Sequence, residues 1–208
     1  MAGSSHIYKA LDAMTLSLDE QFAENGWCMP LDAKFSKFVD YQFGTSRDKL
    51  KLLETFYDER FSEVILPELE KSSLVLTAPY DLMLKETIQT YELGLFNICI
   101  PSLFSIIESM LVFLANDGDP SKVRYISGLD NTLEHVSKKY SSGLYVQLSD
   151  IKKIISELFK KIEFNTMNQS IDLNRHESAH GRRVGSYSKL DCLKLLVLIS
   201  TIKSCYNN

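Results

Sequence analysis

The chain has 208 residues, 45% hydrophobic and 24% charged, with only 9 Gly and 5 Pro. That composition suits one globular domain, alone or with a helical extension, and supplies enough apolar material for a sizeable core. A net charge of −4 excludes polyanion binding through bulk charge, so any contact with nucleic acid must use a local basic patch.

Apolar residues recur at spacings of three and four almost throughout, and β-branched runs of period two are scarce, so the fold class expected is all-α. In chain order the pattern predicts helices over His6–Glu24, Leu31–Phe43 and Ser46–Phe61, then a shorter one over Glu63–Lys71. Tyr80–Asn97 and Ser102–Asn116 follow, then Asn131–Lys139, Ser149–Ile162 and Lys189–Tyr206. Asn116-Asp117-Gly118-Asp119-Pro120 reads as a turn, and the Ser149 hydroxyl can cap the helix after it. A boundary falls near Ser72–Pro79. It divides an amphipathic N-terminal extension, residues 1–72, from a more apolar helical bundle, residues 73–208.

Cys28, Cys99, Cys192 and Cys205 form no Cys-x-x-Cys pair, and two lie in strongly apolar helical stretches. They read as reduced core residues of a cytoplasmic protein. Met1–Leu18 lacks the basic start and apolar run of a signal peptide. Leu93–Ala115 is apolar enough to mimic a membrane span, but Glu108 within it argues for a central helix buried by other helices and for no membrane role.

One segment carries chemistry: Asp172-Leu173-Asn174-Arg175-His176-Glu177-Ser178-Ala179-His180-Gly181-Arg182-Arg183, with two of the chain's four histidines and three of its six arginines. In an acidic protein this is a local positive patch suited to a phosphate ester. His176-Glu177-Ser178-Ala179-His180 also matches His-Glu-x-x-His, in which two histidines one turn apart bind zinc and the glutamate is general base. Against a zinc hydrolase stand the lack of a third ligand, with Asp191 the only downstream carboxylate, the crowding by arginines, and Gly181, which ends the helix where a zincin helix would continue. Glu177 also has a structural use, since with Asn174 as N-cap it falls at the third helical position of a capping-box variant. No metal and no other cofactor is therefore expected.

The same residues contain Arg-x-x-x-x-His, Arg175 to His180, with polar His176 directly after the arginine and an apolar helix, Leu190–Tyr206, following. This resembles the motif of the HEPN superfamily. The resemblance covers roughly Ser72 to the C-terminus and implies a HEPN-like helical bundle with its motif near the start of the last core helix. It implies a metal-independent endoribonuclease, of the kind found in toxins and anti-phage defence factors, with Arg175, His180 and His176 catalytic. It further implies an acidic partner on an earlier core helix, the place held by Glu108. A carboxylate in so apolar a helix is costly to bury unpaired, and Arg175 or His180 could supply the partner. Asn174, Arg182 and Arg183 are the residues expected to bind substrate.

RNA carries its own nucleophile in the 2′-hydroxyl. His180 could move a proton near neutral pH, and Arg175 offers planar donors to the non-bridging oxygens. On an ideal helix Arg175 and His180 lie about 140° apart. They do not share a face, which is compatible with the homodimer that the resemblance implies. RNA, a second copy and an antitoxin or regulatory protein are thus the partners expected. The alternative reading is a non-catalytic HEPN-like module that binds a nucleotide or a protein.

Overall fold

The computed structural model describes residues 22–28, 46–116, 151–161, 173–181 and 185–207. The expected helices Leu31–Phe43 and Asn131–Lys139 lie outside them, as do Ser149, Arg182, Arg183 and all but the first residue of the Asn116–Pro120 turn. The described residues are helical, with no strand among them.

Helix α1 is Ser46–Arg60 and α2 is Leu66–Glu70; a π-helical turn, Phe61–Ile65, joins them into one continuous rod. The sequence predicted two separate helices here. Pro67, in the first turn of α2, has no N–H for an α-helical bond, and the wider turn just before it lets the rod continue.

The next helices also begin and end differently from the expectation. Helix α3 is Ala78–Glu92 and α4 is Phe96–Ala115. The break between them lies at Gly94, not at Pro101, where the apolar pattern placed it. Gly94 adopts φ +75°, its N–H donates to the Tyr91 carbonyl, and the Leu95 N–H reaches back to the Thr90 carbonyl. Those bonds close the orphan carbonyls of α3 in a Schellman turn, which requires the left-handed conformation glycine adopts readily. Pro101 sits on the exposed side of α4, where water can reach the carbonyl its missing N–H leaves unbonded.

Helix α5 covers 151–158, α6 is the short Arg175–Ala179, and α7 is Lys189–Asn207. Ser188 and Asp191 cap α7 reciprocally: the Asp191 N–H donates to the serine hydroxyl oxygen, while the Asp191 carboxylate accepts from the Ser188 N–H at 2.8 Å. Along α7, Cys192, Leu193, Leu195–Ile199 and Ile202 are all buried, as its composition led us to expect.

Helix α4 is the central element, flanked by α3 and α7, with α6 against it. Phe96–Leu114 is long and apolar enough to cross a membrane. Its inward side, from Cys99 through Ile100, Leu103, Ile106, Ile107 and Met110, is packed into the core. Phe22, Trp27, Leu53, Tyr57 and Leu69 belong to that same core, and the Trp27 ring stacks on Tyr57 at 4.5 Å. The loop after Glu70 therefore separates two stretches of sequence but not two cores. Cys28, Cys99 and Cys192 are buried and form no disulfide among the described residues.

Lys203 of α7 is 0% exposed, and its ammonium donates to the Leu69 carbonyl near the end of α2. That carbonyl is one of the four that a helix end leaves without an intrahelical partner. Burial lowers the pKa of Lys203 below its usual 10.5, against the pull of Asp81 and Glu68. Below the lowered value, folded and unfolded chains both hold the proton, and the fold carries the whole cost of the desolvated charge. Between that value and 10.5 the folded chain releases its proton first, so stability rises with pH across this window. Denaturant melts of wild type and Lys203→Met should therefore differ by an amount that is flat below the window and shifts towards wild type within it. A difference independent of pH would refute the desolvated ammonium.

Candidate active site

The local sequence dictates the start of α6. Asn174 is the N-cap, in extended conformation, and its Oδ1 accepts from the N–H groups of His176 at 2.8 Å and Glu177 at 3.3 Å. Its Nδ2 donates to the Lys160 carbonyl at 3.0 Å. Asn174 is only 5% exposed, with both ends of its amide engaged inside the protein. It was expected to touch substrate; instead it positions the residues that follow. The helix stops at His180, and Gly181 beyond it takes φ +61°.

Arg175, the first residue of α6, turns onto α4. Its Nε donates to Glu108 Oε2 at 3.3 Å, and its Nη2 lies 2.9 Å from Oε2 and 3.2 Å from Oε1. Of the two bases weighed as partners for Glu108, the fold selects the arginine. Both side chains are 26% exposed, so the pair sits at the edge of the core within reach of solvent. The carboxylate engages the guanidinium along its Nε–Nη2 side. The Nη1 donors on the opposite edge make no hydrogen bond among the described residues, so they are able to meet an anion.

His176 and His180 stand one turn apart with their rings parallel, 7° between planes and 6.4 Å between centroids. His180 is exposed and ends the helix. The pKa of His176 is lowered, chiefly by burial, then by the charges of Arg175 and His180, with Glu108 opposing and Lys161 adding. Its imidazole is therefore neutral at pH 7.

Glu177 differs from expectation. It faces the interior, 8% exposed, and its Oε2 has no hydrogen-bond partner. The capping box forms only by its Asn174 half, and Glu177 returns no bond to the N-cap. Its orientation also bears on the His-Glu-x-x-His pattern, because a zincin glutamate must reach water at the metal and this one is turned away from the surface that carries the histidines. Asp191, the one downstream carboxylate, is bonded to the N-terminus of α7. Among the described residues no third His, Cys, Asp or Glu joins the two histidines in a metal-binding group.

The structure thus brings together Arg175, Glu108, His176 and His180, while Arg182 and Arg183 lie outside the described residues. Sequence reasoning missed Lys161, which lies close enough for its charge to act on His176. The Lys160-Lys161 pair at the end of a predicted helix was the available signal, but nothing local places that end beside α6. Comparison with protein-family models, with curated proteins and with solved structures finds no match to this chain.

Proposed function

We propose that the chain is a metal-independent endoribonuclease of the HEPN type. The observation that supports it best is the bidentate Arg175–Glu108 pair, which directs a guanidinium outward from beside two histidines. In this reading the 2′-hydroxyl of RNA attacks the adjacent phosphorus. A neutral imidazole takes the hydroxyl proton, an imidazolium returns a proton to the departing 5′-oxygen, and the outer edge of Arg175 meets the non-bridging oxygens as charge builds. His176, held neutral, suits the proton acceptor, and His180, one turn away, takes the other role. Atoms and protons balance with a 2′,3′-cyclic phosphate and a 5′-hydroxyl as products.

On an ideal helix Arg175 and His180 lie about 140° apart, so a homodimer that sets two such segments across one cleft belongs to the proposal. An unrestrained ribonuclease harms its own cell. A toxin or anti-phage role in the cytoplasm, under an antitoxin or regulatory protein, follows from the same reading.

The test is cleavage of single-stranded or loop RNA by purified protein in excess chelator, with the product ends read by mass spectrometry. Cyclic phosphate or the 3′-phosphate derived from it is expected. The acid limb of kcat should lie below 6.5, because His176 stays neutral to lower pH than a free imidazole. Binding of RNA or a nucleotide without cleavage would favour the non-catalytic module. Activity abolished by the chelator and restored by zinc would favour the hydrolase.

A further inference from the structure

Lys161 lies next to the site for a structural reason. The buried Asn174 amide caps α6 with its oxygen and holds the Lys160 carbonyl with its nitrogen at 3.0 Å, so one side chain ties residues 160–161 to the turn where Arg175 and His176 begin. The two lysines then differ. The Lys160 ammonium is drawn back to Glu157, 3.6 Å away. Lys161 is exposed and makes no ion pair among the described residues. With no acid in contact with it among the described residues, in a chain of net charge −4, this exposed cation is available to an anion from outside. Its charge already acts on the His176 ring.

We infer that Lys161 is a substrate-positioning residue that takes the RNA phosphate next to the scissile one, so that the strand runs from the outer edge of Arg175 across His176 towards the end of α5. The inference rests on the ribonuclease reading and adds to it a direction for the bound strand. Lysine suits this work as a mobile point charge that reads no base, and its contribution is a released counterion.

The test uses a fluorescent 2′-O-methyl oligoribonucleotide, which cannot be cleaved, titrated by anisotropy at several salt concentrations against the full chain. Lys161→Gln should weaken binding roughly three- to tenfold at low salt and reduce the slope of log K against log salt by about 0.7, the value for one single-strand phosphate contact. Lys161→Arg should restore both. Lys160→Gln should change them less, since that ammonium is already paired. On cleavable RNA the Lys161→Gln loss should fall on KM more than on kcat. Unchanged affinity and salt slope in Lys161→Gln, with binding weakened in Arg175→Ala, would overturn the role of Lys161 alone; so would equal losses in the two lysine variants. Failure of wild type to bind the probe, or Arg175→Ala binding as tightly as wild type, would instead overturn the ribonuclease reading and this inference with it.

Discussion

His180→Ala and Arg175→Ala should each slow RNA cleavage by roughly 10² to 10⁴, as expected for loss of a proton-transfer group and of a charged donor to the transition state. Neither should unfold the protein. His180 is exposed at the end of a short helix, and Arg175 is bound at the rim of the core rather than inside it. Arg175→Lys should not rescue, because an ammonium cannot bond Glu108 along one edge and offer a planar second edge to a phosphate. Glu177→Gln is the informative comparison. In a zincin that change removes the general base. Here Glu177 faces inward with an unbonded Oε2, so cleavage should persist, and stability should hold because that oxygen loses no hydrogen bond. Single-turnover rates and melting curves on the same preparations separate the cases. Wild-type rates in both the His180 and Arg175 variants would assign the activity to a contaminant.

Glu108→Ala should cost activity and stability together. The carboxylate holds the guanidinium at three N–O distances between 2.9 and 3.3 Å, and without it Arg175 keeps its charge but loses its orientation. A mispositioned donor lowers kcat on the order of 10²-fold. Loss of a charge-assisted, partly buried bond should lower stability by about 1–3 kcal/mol. Glu108→Gln keeps one acceptor oxygen at nearly the same place and should retain more of both. If Glu108→Ala lowered stability but left kcat and its pH profile at wild-type values, the pair would be only a structural tie between α4 and α6.

Several features of this site are written within a few residues of one another and were legible as such. Asn174 before a polar turn marked the start of α6, and Gly181 marked its end. His176 and His180, four apart, had to share a face, and their parallel rings follow from that spacing. The burial of α7 could be read from its unbroken apolar run. Local competition between signals was harder to judge. Pro101 is a stronger breaker than Gly94 in the abstract, yet it lies on the exposed side of α4, while Gly94 can take the positive φ that closes α3. Likewise the expected break between Phe61 and Glu63 is bridged by a π-helical turn, just before the Pro67 of α2.

Local sequence was enough to specify the helical class, the cap and stop of α6, and the concentration of basic and titratable groups in one short segment. Each depends on spacing and residue type over a turn or two of helix. Which base Glu108 would bind, whether Glu177 would face water or protein, and whether Lys161 would stand near His176 were decided by tertiary structure alone. Glu108 and Arg175 are 67 positions apart, and only the packing of α6 against α4 sets their separation. A difference of 100° around a five-residue helix carries a carboxylate from surface to interior, and that rotation is fixed by the non-local contacts of the Asn174 amide with the chain at Lys160.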